Sequence, residues 1–121
     1  MYKIYFYKDK NGKEPILNYL KELGSRENKD SRIKINKIRS YIKMLSTYGT
    51  AIKEPYIKHL EGEIWELRPL RDRILFAVWI NNSYILLHMF TKKTQKTPKR
   101  EIEQAKNNLK DLIDRGVIYE Q

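Results

Sequence analysis

The chain has 121 residues, 40% of them apolar and 12% aromatic, which suits one domain around one hydrophobic core and excludes a disordered chain. Lysine and arginine number 25 against 15 acidic residues, so the formal net charge is +10. Such an excess raises affinity for polyanions, though lysines also serve simple solvation. The absence of cysteine excludes disulfides and thiolate metal sites, the N-terminal MYKIYFYKD is too short and polar for a signal peptide, and no apolar run approaches a membrane span; together these predict a cytoplasmic protein with no membrane partner.

Residues 2–7, YKIYFY, are aromatic and β-branched, with Ile4 and Phe6 on one face, which predicts a strand. Asn11-Gly12 marks a turn. Pro15 suits the first turn of a short helix carrying Ile16, Leu20 and Leu23, with Gly24 as its stop. The polar run SRENKDS leads into a longer helix, where Ile35, Ile38, Ile42 and Leu45 recur at helical spacing and Gly49 follows the end. Arg32, Lys34, Lys37, Arg39 and Lys43 make its solvated face.

Residues 50–62, with Pro55 and Gly62, read as a connector. Three strands follow: IWELR (64–68), RILFAVWI (73–80) and SYILLHMF (83–90). Asn81-Asn82 joins the last two as a two-residue turn, because asparagine tolerates positive φ. The final helix opens at Thr97-Pro98, with Thr as N-cap and Pro first in the helix. It buries Ile102, Ala105, Leu109 and Leu112 and ends at Gly116. The tail VIYEQ is either a short extra strand or loose. With no repeat and no linker, residues 1–121 form a single α+β domain.

A two-residue hairpin loop dictates register. Ile80 faces Ser83, Phe76 faces Leu87, Ile74 faces Met89, Arg73 faces Phe90, and Arg71 faces Lys92. One face then carries Ile74, Phe76, Val78, Ile80, Ile85, Leu87 and Met89 as continuous hydrocarbon to pack beneath the helices. The other carries Leu75, Ala77, Trp79, Tyr84 and Leu86, and ends in Arg71, Arg73, His88, Phe90 and Lys92. Like charges directly opposed repel unless an anion sits between them. Arg71, Arg73 and Lys92, joined by Arg68, therefore form either an anion site or a set that splays into water, with Arg73 paired to Glu66 or Asp72. Three features favour the anion: the bidentate geometry of arginine, the donors of the loop KKTQKT, and the free amides of the helix opening at Pro98.

The segment from Glu63 to Ala105, "EIWELRPLRDRILFAVWINNSYILLHMFTKKTQKTPKREIEQA", resembles the HigB toxins of the RelE/ParE superfamily, in the phage Gp49-like branch. The similarity lies in WELR, the arginine of DRILF, the strand ending HMF, the loop KKTQKTP and the helix starting EIEQA. It implies a RelE-like fold: a twisted antiparallel sheet, two N-terminal helices on one face, a C-terminal helix, and a concave catalytic face opposite. It implies a toxin of a type II toxin–antitoxin system that cleaves mRNA on the ribosome by metal-free attack of the ribose 2′-hydroxyl on the adjacent phosphate. No cofactor is expected. A helix-turn-helix antitoxin of the HigA type, in a toxin–antitoxin heterotetramer, is the implied partner, beside ribosome and mRNA. Other branches of the superfamily leave two further readings: a non-catalytic toxin that binds gyrase, as ParE does, or a basic nucleic-acid-binding protein.

Carried over residue by residue, the resemblance places Arg73 on the scissile phosphate. Arg68 binds phosphate from the preceding strand, and Lys92 and Lys93 match the basic stretch after the last strand. Strand alternation favours Lys92 for the face of Arg73. His88 is the candidate for proton transfer, by its position diagonal to Arg73 and because an unperturbed imidazole suits proton transfer near neutral pH; His59 and Tyr119 are further candidates. Arg71, Glu66, Phe90, Thr94, Lys96 and Lys99 are the expected RNA contacts, with Glu66 serving as base or as ion-pair partner of Arg68 or Arg73. Trp65 and Trp79 either stack on bases or pack in the core. There is no Gly-rich phosphate loop, no His and acid set at metal-ligand spacing, and no Ser-His-Asp or Cys-His arrangement.

Overall fold

The computed structural model of the chain describes residues 1–117. A five-stranded sheet in the order β1-β5-β4-β3-β2 carries helices on both faces. The strands are β1 (Lys3–Phe6), β2 (Ile57–Glu61), β3 (Ile64–Leu67), β4 (Asp72–Trp79) and β5 (Ser83–Thr91). The helices are α1 (Pro15–Ser25), α2 (Lys29–Tyr48) and α3 (Lys99–Asp114). No helix among the described residues is long and apolar enough to cross a membrane.

The helices form where periodicity and caps agree. In α2, Ile35, Ile38 and Leu45 are buried, the Asn28 side chain caps the Ser31 amide at 2.8 Å, and Gly49 ends the helix at φ +63°. Only glycine fits there, because an added Cβ would lie 2.6 Å from the Tyr84 hydroxyl. Gly24 does not stop α1; it lies inside the helix, where a Cβ would sit 3.6 Å from Ile35. The α3 boundary also shifts by one. Pro98 is the N-cap, and the Thr97 hydroxyl, expected to cap the helix, instead donates to the buried carboxylate of Glu66.

Three expectations about the sheet need correction. It is mixed, not wholly antiparallel, because β1 runs parallel to β5. The antiparallel pairs are those whose strands follow one another through short connections; β1 reaches β5 only through the whole intervening chain, which imposes no such direction. The connector contains a strand, β2, joined to β3 through Gly62 and Glu63, with Gly62 at φ +54°. And the face opposite α1 and α2 is not left open. Helix α3 lays Ala105, Leu109 and Leu112 on Leu75, Ala77, Ile85 and Leu87, while α1 and α2 cover Ile74, Phe76 and Leu86 from the other side.

The hairpin register differs from the expected one near its turn and agrees with it at the far end. Trp79, not Ile80, pairs with Ser83, so the turn takes three residues, with Asn81 and Asn82 at positive φ. Phe76 accordingly faces Leu86, not Leu87. A one-residue slip exchanges the faces of a strand. Tyr84 and Leu86 therefore lie under α1 and α2, and Ile85 and Leu87 under α3. Val78, expected in the core, is 62% exposed near the turn end of β4. A bulge in β5 between Leu86 and His88 restores the count, and Ile74–Met89 and Arg73–Phe90 pair as expected.

Candidate nucleic-acid interface

The restored register delivers Arg73 and Lys92 to one corner of the sheet, beyond the start of α3. The Lys92 amide donates to the Arg71 carbonyl at 2.7 Å, extending the β4–β5 ladder past its formal end. An Arg71 Nη2 donates to the Lys92 carbonyl at 3.3 Å. Two adjoining clefts open here. One, of about 470 Å³, is lined by Leu70, Arg71, Arg73, Lys92, Lys93 and Thr94. The other, of about 240 Å³, is lined by Lys58, His59, Glu66, Arg68, Lys96 and Thr97. Lys92 and Gln95 belong to both, so Lys92 stands between Arg73 of the first cleft and Arg68 of the second.

Arg73 is the fixed element. It is only 8% exposed, and its Nη1 donates to the carbonyls of Leu70 and Asp72, each at 2.8 Å. Its Nε is buried with no hydrogen-bond partner and lies 3.8 Å from Glu66 Oε1. Anchoring through Nη1 sets the plane of the guanidinium and leaves Nε and Nη2 without hydrogen-bond partners among the described residues. The anchor requires an unusual backbone: Leu70 sits at φ +56°, a region that a branched side chain enters at a cost of about 1–2 kcal/mol. Residues in this turn are held by the Asp72 amide on the Pro69 carbonyl at 3.0 Å and by Arg73 itself.

Glu66 organises the cations from beneath. It is 1% exposed, faces Arg68 at 3.4 Å, approaches Arg73, and accepts from the Thr97 hydroxyl. Both its oxygens are engaged, so it acts as a buried counter-ion. Arg68 also reaches Glu54 at 3.9 Å. Burial lowers the Arg73 guanidinium from its ordinary range, opposed by Glu66, though it remains charged across physiological pH. Lys92 is lowered as well, first by desolvation and then by the positive charges of Arg73 and Arg68.

The structure thus brings Arg68, Arg71, Arg73, Lys92, Lys93, Glu66, Thr94 and Lys96 together around the two clefts. The Thr94 hydroxyl donates to the Lys96 carbonyl and shapes the loop. His88 and Phe90 are not brought there. His88 Nε2 lies 2.7 Å from Glu101 Oε1 on α3, Phe90 stacks on His88 at 6.0 Å, and both line a different groove. His88 keeps its expected place opposite Leu75 on the α3 side of the sheet, and there Glu101 of α3 holds its ring away from the clefts. Lys99 is exposed at the start of α3 and lines neither cleft. Trp65 packs between His59 and Phe76, and Trp79 lies on the α3 side near the hairpin turn. Tyr119 and the tail lie outside the described residues.

Sequence reasoning missed Lys58, Leu70 and Gln95. Lys58 pairs across β2–β3 with Glu66, and its strand was hidden in the connector. The available signal was Gly62 two residues ahead of a strand, a hairpin spacing. His59, which had no geometric support in the sequence, lines the second cleft and binds the Gly62 carbonyl at 2.8 Å.

Comparison with known proteins agrees with this architecture. Residues 18–110 match the family described as phage derived protein Gp49-like (DUF891). The chain belongs to that family, a toxin-like phage-derived family within the RelE/ParE toxin-like superfamily, and its twisted mixed sheet with three helices is consistent with a RelE-like fold. No curated protein matches the chain.

Proposed function

We propose that this Gp49-like chain is the toxin of a type II toxin–antitoxin pair and a metal-independent endoribonuclease acting on mRNA in the ribosome. The observation that carries the reading is the guanidinium of Arg73, fixed through Nη1 by two backbone carbonyls, backed by Glu66, and lining one cleft with Arg71, Lys92 and Lys93. Preorganised cations of this kind stabilise charge that develops only in a transition state.

In the proposed reaction the ribose 2′-oxygen bonds to phosphorus as its proton passes to solvent water, and the bond to the 5′-oxygen breaks with protonation of that oxygen. The products are a 2′,3′-cyclic phosphate and a 5′-hydroxyl. Arg73 binds the equatorial oxygens of the phosphorane, with Arg68 supporting the charge from the second cleft. Lys92, between the two arginines and with its acidity raised by burial and by them, donates the proton to the 5′-oxygen. Glu66 keeps both arginines oriented. Arg71, Lys93, Thr94 and Lys96 hold flanking phosphates, and Lys99 meets more distant backbone or ribosomal RNA. An antitoxin of the HigA helix-turn-helix type would neutralise the toxin in a heterotetramer.

Mapping of mRNA 5′ ends after brief induction tests the reading. Codon-linked cuts are expected from the wild type. They should fall by about a hundredfold or more in Lys92→Met and Arg73→Lys, both checked for folding by circular dichroism. Undiminished cutting by folded variants overturns the assignment. DNA damage without mRNA cuts points to a gyrase-binding toxin instead.

A further inference from the structure

A second concave site lies across the sheet end from the basic clefts, and the nuclease reading does not use it. Strand β1 pairs with β5 only from Ser83 to Leu86, its last contact being the Tyr7 amide on the Leu86 carbonyl at 2.8 Å. Beyond that point the chain turns away through Asp9, and the outer edge of β5 from Leu87 to Thr91 has no strand beside it among the described residues. A groove of about 530 Å³ runs along this edge, walled by α1 through Ile16 and Tyr19 and by α3 through Gln104 and Asn108.

The backbone of this edge is prepared for pairing. Lys92 hydrogen-bonds inward to Arg71, so strand alternation turns His88 and Phe90 toward β4 and directs the amides and carbonyls of Met89 and Thr91 outward. Asn108 Nδ2 already satisfies one edge group, the Leu87 carbonyl, at 2.8 Å. An unpaired edge of this kind is a template for a strand from another chain.

The charge of the groove identifies what enters it. In a chain of net charge +10, no lysine or arginine among the described residues lines it, and the formal charges among them are Asp9 and Asp72. Asp72 is 1% exposed. Its Oδ1 accepts from the Thr91 hydroxyl at 2.9 Å and meets Lys34 at 3.4 Å, whereas Oδ2 is buried with no hydrogen-bond partner among the described residues. A buried carboxylate oxygen left this way costs free energy until a donor reaches it.

We propose that the β5 edge is a strand-addition site for an extended segment of a partner protein, one that places a lysine or arginine on Asp72. The segment pairs its backbone with Met89 and Thr91 as a further strand. Its basic side chain lays its aliphatic stem along Ile16 and Tyr19 and sets its head on Asp72 Oδ2. The next side chain along points to the opposite wall, toward Phe90 and Gln104. This is a protein-binding surface of the opposite sign to the RNA clefts, so one chain can engage both partners.

Three synthetic, end-capped heptapeptides test the proposal by amide hydrogen exchange of the full chain. The first alternates valine with arginine, the second replaces arginine by glutamate, and the third is the basic peptide with alternate backbone nitrogens methylated. The basic peptide should slow exchange of the Met89 and Thr91 amides by about tenfold at saturation, and the other two should not. Gln104→Lys, a substitution at an exposed helix position, should weaken the basic peptide by about tenfold through repulsion in the groove. Absence of slowing at millimolar basic peptide overturns the proposal. So does equal slowing by the acidic or the methylated peptide, or an unchanged response in Gln104→Lys.

Discussion

Asp72 and Arg73 are neighbours in the chain and opposites in the structure. Strand alternation sends Asp72 beneath Tyr19 and α1, into the groove at the β5 edge, and sends Arg73 into the basic clefts beyond α3. Each region is built on one buried carboxylate, each 1% exposed. The two carboxylates differ in how fully they are satisfied. Glu66 has partners on both oxygens, so its role ends at holding Arg68 and Arg73, and the binding capacity of that corner lies in the outer edges of the cations. Asp72 has a partner on one oxygen only, so the carboxylate itself keeps the capacity to bind. A saturated buried charge positions others, and a half-saturated one is itself a site.

The sharpest way to break this comparison is a double dissociation. Lys92→Met should reduce mRNA cleavage by about a hundredfold while leaving peptide protection of Met89 and Thr91 intact. Gln104→Lys should do the reverse. Loss of both properties in either variant would mean that the two regions are one site.

Stability should separate the carboxylates next. Glu66→Ala strands two buried or half-buried guanidinium groups, and urea unfolding should show a loss of about 3–5 kcal/mol. Asp72→Ala removes one hydrogen bond and one looser ion pair and also removes an oxygen that had no partner, so its cost should be smaller, about 1–3 kcal/mol. Equal costs would remove the distinction between the two carboxylates.

A pH profile offers a finer measure. Lys92 titrates below the usual lysine range, so the alkaline limb of cleavage should fall below pH 10.5, the ordinary lysine value. Arg68→Gln removes one of the positive charges responsible and should move that limb upward. A limb that stays in place would remove Lys92 from the role of proton donor.

The smallest expected effect concerns Tyr7, which carries β1 over to α3. Its phenol is pushed up to about 12 by burial and by its 2.6 Å bond to Asp111. A raised folded-state pKa gives stability that is complete below the unfolded value of 10.0 and is lost as pH climbs toward 12. Wild-type stability should therefore decline more steeply than that of Tyr7→Phe between about pH 10 and 12, measured as the difference between paired denaturant titrations.

Much of the architecture was legible in the chain because it depends on local terms. Apolar spacing of 3.6 marks α2 and α3, and aromatic, β-branched runs mark β1, β4 and β5. The corner of the sheet was legible as well, but through two cancelling departures. The three-residue turn slipped the register by one, and the bulge between Leu86 and His88 slipped it back, so Arg73 still meets Phe90. His88 also keeps its expected partner, Leu75, but its contact with Glu101 on α3, which no local pattern records, takes it into a different groove.

Local patterns in the sequence by themselves determined which segments are helix and strand, that the charge is strongly positive, and that arginines and lysines cluster after β3 and β5. Periodicity and composition suffice for that, since they act over a few neighbouring residues. Only the tertiary structure decided that Glu66 sits beneath Arg68 and Arg73, that α3 covers the sheet face once expected to be open, and that β1 leaves β5 before its end. Those outcomes depend on which buried polar groups find partners across the sheet, a competition among residues distant in the chain that no local pattern records.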